Sequence, residues 1–158
     1  DISGGELDER MFDTVAQLRV PYIMMHMRGT PQTMQQQTDY EDVTADLLKY
    51  FSHKLERLFR LGVNDVILDP GFGFSKTLTQ NYELMRHLGD FRIFGLPLLV
   101  GVSRKSMIYK LLETTPEESL NGTTVLHTYA LWQGADILRV HDVRAAKEAI
   151  RIVQQLKG

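Results

Sequence analysis

Four apolar runs in this chain each lead into a polar loop and then into a stretch with helical periodicity, an order that few folds can accommodate. The runs are Pro21-Tyr22-Ile23-Met24-Met25-His26, Val66-Ile67-Leu68, Leu96 to Val102, and Ala135 to Val140. The third is almost continuously apolar, as a strand is when both of its faces are buried. Strands joined through helices run parallel, so the chain reads as an α/β protein, either an open doubly wound sheet or a barrel. The unusual polar residues fall just behind the strands: His26 and Arg28, then Asp69, then Ser103 to Ser106, then Arg139, His141 and Asp142. Parallel sheets bind ligands at the carboxyl ends of their strands. Loops from four successive strands converge most readily around the mouth of a barrel, which favours that closure.

The helices follow from periodicity. Asp1-Ile2 reads as the tail of a strand and Ser3-Gly4-Gly5 as a loop, followed by a short helix with Leu7, Met11, Val15 and Leu18 on one face. Met27 to Gln37, with Gly29, Pro31 and a glutamine run, is a polar loop. A long helix begins near Tyr40, carries Val43, Leu47, Leu48, Phe51, Leu55, Leu58 and Phe59 on one stripe, and ends before Gly62. Asn81 to Leu88 predicts another helix. Thr115-Pro116-Glu117-Glu118 has the form of a capping box ahead of a helix bearing Val125, Leu126, Tyr129 and Trp132, which stops at Gly134. Asp142 is expected to cap the last helix, whose apolar face is Val143, Ala146, Ile150, Val153 and Leu156.

Composition excludes several function classes. With 158 residues and a formal net charge of -2, there is no field to attract nucleic acid or an anionic membrane. No run of about 18 apolar residues predicts a membrane helix. The chain has no cysteine, which removes disulfides and thiolate metal sites and is compatible with a cytoplasmic location. It opens on Asp1 without methionine or a signal-peptide pattern, as a processed chain or a portion of a longer protein does.

The loop after the second run is Asp69-Pro70-Gly71-Phe72-Gly73-Phe74. It sets a carboxylate at a rigid strand end, with glycines for close backbone approach and two aromatic rings beside the acid. Such a site suits a flat, nitrogen-rich ring that donates hydrogen bonds to the carboxylate; the same residues also suit a structural turn whose aspartate caps the next helix. Ser103-Arg104-Lys105-Ser106 can hold a phosphate, a carboxylate or a carbonyl oxygen, or be a solvated basic turn; it lacks the glycine spacing of a P-loop. Arg139 and His141 alternate to one side of their strand end and offer donors for pyrophosphate. His26, His53, His87 and His127 have no metal-ligand spacing, and His26 reads as a pocket wall. Met24, Met25 and Met27 suit either core filling or contact with a heteroaromatic ring.

Taken together, these segments resemble dihydropteroate synthase, the folate-pathway transferase that sulfonamides inhibit. Asp69 to Phe74 is similar to that family's pterin loop, Ser103 to Ser106 to its second signature, and Arg139-Val140-His141-Asp142-Val143 to its last strand. Met25-His26-Met27 with Gly29 and Pro31 matches as well, and the resemblance runs from Asp1 to about Leu156. It implies a TIM (β/α)8 barrel, and a reaction joining p-aminobenzoate to 6-hydroxymethyl-7,8-dihydropterin pyrophosphate with release of pyrophosphate. By resemblance, Asp69, Lys105 and Arg139 are catalytic. Ile2, Met25, Asp69, Phe74, Lys105 and Arg139 bind the pterin. Phe74, Lys105 and Ser106 bind p-aminobenzoate, and Arg139 and His141 bind pyrophosphate. Mg2+ is implied through the substrate pyrophosphate and an asparagine outside this sequence, with no metal ligand in the chain itself. A homodimer is also implied.

A TIM barrel takes about 250 residues, so residues 1–158 are expected to be a single pterin-binding domain, the carboxyl-terminal part of a barrel lacking its amino-terminal strands. The family's Asn-Val-Thr-Pro-Asp-Ser-Phe and Ser-Thr-Arg-Pro segments do not occur in it, and little or no turnover is expected from these residues alone. The alternative is an isolated, non-catalytic pterin-binding half-barrel with strand edges open near Ile23 and Ile137. A different pterin-binding barrel, such as a corrinoid methyltransferase domain, fits the Ser103-to-Ser106 and Arg139-His141 pattern less well.

Overall fold

The computed structural model describes all of residues 1–158. The elements in order are α1 (Met11–Leu18), β1 (Tyr22–Met25), α2 (Val43–Arg60), β2 (Val66–Asp69), α3 (Leu78–Arg86), β3 (Leu99–Val100), α4 (Ser106–Tyr109), α5 (Leu120–Trp132), β4 (Ile137–Leu138) and α6 (Val143–Lys157). Short 3-10 turns lie at Met34–Gln36 and Leu88–Phe94. No helix is long and apolar enough to cross a membrane.

The strands are parallel, as the order of runs implies. β1 pairs with β2 so that Met25 stands opposite Asp69, and β3 pairs with β4 so that Leu99 stands opposite Ile137. A parallel bridge from Leu68 to Leu98 joins the two pairs, giving the spatial order β1-β2-β3-β4. The strand tail expected at Asp1 lies beside β1: the Asp1 amino group donates to Ile23 O at 3.0 Å, and Met25 N–H donates to Asp1 O at 3.1 Å. β1 is therefore partly covered at the edge where Ile23 was expected to lie open, while β4 has no strand beyond it. β3 pairs over two residues only, shorter than the apolar run; at its start Pro97 has no N–H to give and the Leu98 N–H goes to Asp136 Oδ2 at 2.9 Å.

Alternation along the strands sends Tyr22, Met24, Val66, Leu68, Leu98 and Val100 into the main core, against Leu47, Phe51 and Leu58 of α2 and Leu84 of α3. The opposite faces of Ile23 and Ile137 are 38% and 36% exposed. α2 has a complete set of end signals. The Asp42 side chain accepts Ala45 N–H at 2.9 Å, and at the other end Val63 N–H donates to Leu58 O and Gly62 N–H to Phe59 O, both at 3.0 Å, a Schellman closure. Its buried stripe is the expected one except that Leu48 is only half-buried, Phe59 is exposed and Thr44 is buried.

Other helices depart from expectation for local reasons. α1 starts at Met11, not Leu7, because the Asp8 side chain accepts Arg10 N–H at 2.9 Å and turns the chain first; its buried pair is Phe12 and Val15, with Leu7 and Leu18 exposed. α3 begins three residues earlier than Asn81, on a Thr77–Gln80 capping box. The Thr115 to Glu118 segment makes its own turn, and α5 starts later, at Leu120. α5 is also rotated: Thr123, His127, Ala130 and Leu131 are buried, while Val125, Tyr129 and Trp132 face outwards. Thr123 Oγ1 accepts Arg104 N–H at 3.0 Å, and this tie turns the polar side of α5 inward. α6 buries Ala146, Ala149 and Val153, leaving Val143 and Leu156 exposed at its two ends. Asp142 precedes α6 but gives it no side-chain cap.

Candidate active site

Asp69 ends β2 with its side chain fully buried. Oδ1 accepts Gly71 N–H at 2.9 Å. Oδ2 lies 2.9 Å from Arg139 Nη2, yet no N–H is directed along its lone pairs, so the contact is Coulombic and the oxygen has no hydrogen-bond partner. Burial pushes the Asp69 carboxyl above the ordinary carboxylate range, opposed by the Arg139 guanidinium, the Gly71 N–H, Lys105 and Lys76. Asp69 does not cap the following helix, a task taken by Thr77. A shielded acceptor with open lone pairs is a costly arrangement unless a ligand completes it.

Arg139 follows β4 and reaches back over β3 to Asp69. A Cβ on Gly101 would lie 2.7 Å from Arg139 Nη2, so glycine at this position lets the guanidinium cross the strand. The same nitrogen stands 3.9 Å from Met25 Sδ, which brings the methionine to the wall of the site. Lys105 donates to Phe72 O, and its ammonium lies 4.6 Å from the Phe74 ring centre. Burial lowers its pKa to about 8 against the attraction of Asp69, and Arg139 lowers it further. Asp69, Lys105, Arg139, Met25 and Phe74 thus form one group. Phe72 does not join it: the ring is fully buried in the main core, so only one of the two aromatic rings of the loop stands at the site.

The remaining predicted residues divide. His141 follows Arg139 by two positions, and Ser103 Oγ meets its N–H at 3.1 Å and its Nδ1 at 3.0 Å. The buried serine therefore orients the imidazole. Arg104 turns away with a φ of 52° and is fully engaged: its Nε and Nη2 donate to Asp142 at 2.8 and 2.9 Å, and Nη1 donates to Pro116 O and Glu117 O. It is a clamp on the loop, not an anion ligand, and it explains why Asp142 is not a cap. Ser106 is the first residue of α4 and is partly exposed. Ile2 is exposed, on the stub beside β1.

Two polar residues that sequence reasoning passed over support the Asp69 loop. Asn81 is buried; its Oδ1 accepts Gly73 N–H at 2.7 Å, and its Nδ2 donates to Lys76 O and Thr77 O at 3.2 and 2.7 Å. Lys76 is buried beneath the same loop. A lysine in a polar loop and an asparagine near a helix start carry no sequence signal of burial. The closeness of both to the Asp69 hexapeptide is the only hint. His26, expected as a pocket wall, is buried against Lys76. No three His, Cys, Asp or Glu side chains converge as an ion site.

The chain as a whole has relatives among known proteins. Residues 1–141 match the family model described as "Pterin binding enzyme", and the chain belongs to that family. Within it, the similarity is to dihydropteroate synthases. The Escherichia coli (strain K12) enzyme is 45% identical over 144 residues, 90% of this chain and 51% of its own length. That of Synechocystis is 43% identical over 99% of this chain and 55% of its own length. The structure of the Thermus thermophilus enzyme with 4-aminobenzoate superposes with a TM-score of 0.94 at 39% identity, covering 100% of this chain and 65% of that one. The chain spans about half the length of the curated relatives it matches.

Proposed function

We propose that residues 1–158 are the carboxyl-terminal part of a (β/α)8 barrel, and that they form the pterin half of a dihydropteroate synthase site. The observation that carries this reading is Asp69 Oδ2: buried, ion-paired with Arg139 but without a hydrogen-bond donor, and near Lys105. A pterin presents adjacent N–H donors on one flat edge, which two-point acceptance by a carboxylate fits. The relation to an enzyme solved with 4-aminobenzoate supports the second substrate.

In this reading the Asp69 carboxylate holds the amino edge of the pterin, with Met25 and Phe74 as walls, Ile2 over the rim and Lys105 on the ring oxygen. The bond between the pterin methylene carbon and pyrophosphate oxygen breaks, and the electron pair leaves with pyrophosphate. The p-aminobenzoate nitrogen forms the new C–N bond and passes a proton to the departing pyrophosphate or to water. Ionised Asp69 stabilises the positive charge that develops on the pterin, while Arg139 and the Ser103-oriented His141 stabilise the departing anion. Ser106, opening α4, receives the p-aminobenzoate carboxylate. An arylamine is already a usable nucleophile, so no strong base is required of the chain.

Calorimetric titration with 6-hydroxymethyl-7,8-dihydropterin tests the reading. Binding by the protein that is weakened about tenfold or more in Asp69→Asn is expected. A folded, soluble protein that takes up no dihydropterin, or binds it equally well as Asp69→Asn, overturns it.

A further inference from the structure

Lys76 is 3% exposed and has no part in the chemistry just described. Its Nζ meets Phe74 O at 2.9 Å, His26 Nδ1 at 3.0 Å and Gly71 O at 3.1 Å. An ammonium has three N–H donors, and these three acceptors use all of them. With Lys76 as an ammonium, Nδ1 of His26 can only accept, which puts the ring proton on Nε2. No carboxylate touches Lys76; Asp69 attracts it from a distance without giving up a lone pair to it. Burying an ammonium is costly, and a turn needing only closure is served by backbone or water.

The three acceptors lie at particular places. His26 directly follows β1, while Gly71 and Phe74 bracket the loop that follows β2. Gly71 also donates to Asp69 Oδ1, so the carboxylate can rotate only if that loop moves. We infer that Lys76 is a positioning residue for the pterin pocket: by tying Gly71 O and Phe74 O to His26, its ammonium holds the loop in the arrangement that turns Asp69 Oδ2 to the ligand. This deepens the pterin reading and rests on it.

The charged and titratable groups facing Lys76 are Asp69 at the end of β2, His26 and Arg28 behind β1, and Lys105 behind β3. Burial brings its pKa down to about 7; Asp69 opposes this, and Lys105 and Arg28 add to it. The hold is complete while the lysine is an ammonium, and weakens as rising pH removes the proton.

The test compares wild type with Lys76→Met in two measurements. In the ligand-free protein, 15N NMR reads the His26 tautomer, and hydrogen exchange reads the Gly71, Gly73 and Phe74 amides relative to the strand amide of Leu68. We expect a proton on Nε2 in wild type, and exchange of the loop amides accelerated about tenfold relative to Leu68 in Lys76→Met. A proton on Nδ1, or an unchanged exchange ratio, overturns the inference. Calorimetry with 6-hydroxymethyl-7,8-dihydropterin then reads affinity from pH about 6 to about 9. We expect wild-type affinity to fall with rising pH, and Lys76→Met to bind about tenfold more weakly at the low end with a shallower profile. The remaining slope comes from Lys105, whose pKa of about 8 lies in the same range. Equal affinity, or the same pH profile in both, overturns it. Should Lys76→Met fail to fold, the wild-type loop decides: an exchange ratio that stays constant across that pH range overturns the inference, and one that rises with pH supports it. If wild type binds no dihydropterin, the pterin reading fails, and the tautomer and exchange data still decide whether Lys76 holds the loop.

Discussion

The Arg139 guanidinium crosses a whole strand to lie 2.9 Å from the carboxylate of Asp69, 70 positions earlier in the chain. The two residues follow β4 and end β2, and the strand between them contributes Gly101 at the crossing point. Arg139 neutralises Asp69 without satisfying it, since Oδ2 retains its lone pairs. A ligand bringing its own donors gains that oxygen at little cost in protein rearrangement.

Removing the charge should therefore cost binding more than stability. For Asp69→Asn we expect dihydropterin affinity to fall by about 1.5–3 kcal/mol, the range for a hydrogen bond to a charged group. Unfolding free energy should rise or stay level, because burial already disfavours the ionised carboxyl. Calorimetry and urea unfolding on the same preparation check both halves.

Gly101→Ala places a methyl carbon 2.7 Å from Arg139 Nη2. The guanidinium is the end of a flexible chain and can move, so stability should change by less than about 1 kcal/mol, while displacement from Asp69 weakens ligand binding about tenfold. Equal affinity for dihydropterin pyrophosphate in wild type and variant would show that Arg139 does not act from this position.

Gly71→Ala meets a harder obstacle. The residue has a φ of 70°, and the new carbon would lie 2.1 Å from the backbone oxygen of His26, which cannot swing aside. We expect a loss of about 2–4 kcal/mol in urea unfolding, from the left-handed backbone and the clash together. Phe51→Ala should cost about 3–5 kcal/mol in the same assay: the ring is fully buried in the core and packs edge-on against Tyr50, Phe91 and Phe94.

The Arg104–Asp142 pair predicts an acid limb. The hydrogen bonds from Arg104 hold the Asp142 carboxyl below the ordinary carboxylate range. A depressed folded pKa contributes stability above the unfolded value of about 4, and that contribution is lost as pH falls through the folded value. Asp142→Asn should lower stability near neutrality and flatten the curve in that window, so that the two proteins converge at the acid end. Urea midpoints across the acid range measure this.

Much of the site was legible in the order of residues. Asp69, Lys105 and Arg139 each stand directly behind an apolar run, and a parallel sheet gathers strand ends at one side whatever the details of packing. Periodicity also located α2, because its apolar stripe and both end signals agree. The faces of α1, α5 and α6 were not legible in the same way. For α5 the rotation goes with a tie to a distant residue, Thr123 to Arg104, and not with the count of apolar side chains on each face.

Local sequence thus determined the parallel α/β order, the strand-end placement of the acid and cations, and the apolar stripe of α2, since each follows from covalent spacing and residue type alone. Tertiary structure decided which charges serve the site and which are spent on structure. Arg104 looks like a ligand in sequence and is consumed by Asp142 and two carbonyls, while Lys76 looks like a surface residue and is buried under the loop it holds. The physical reason is that burial and partner geometry depend on residues tens of positions away, and a charge changes its role entirely with what surrounds it.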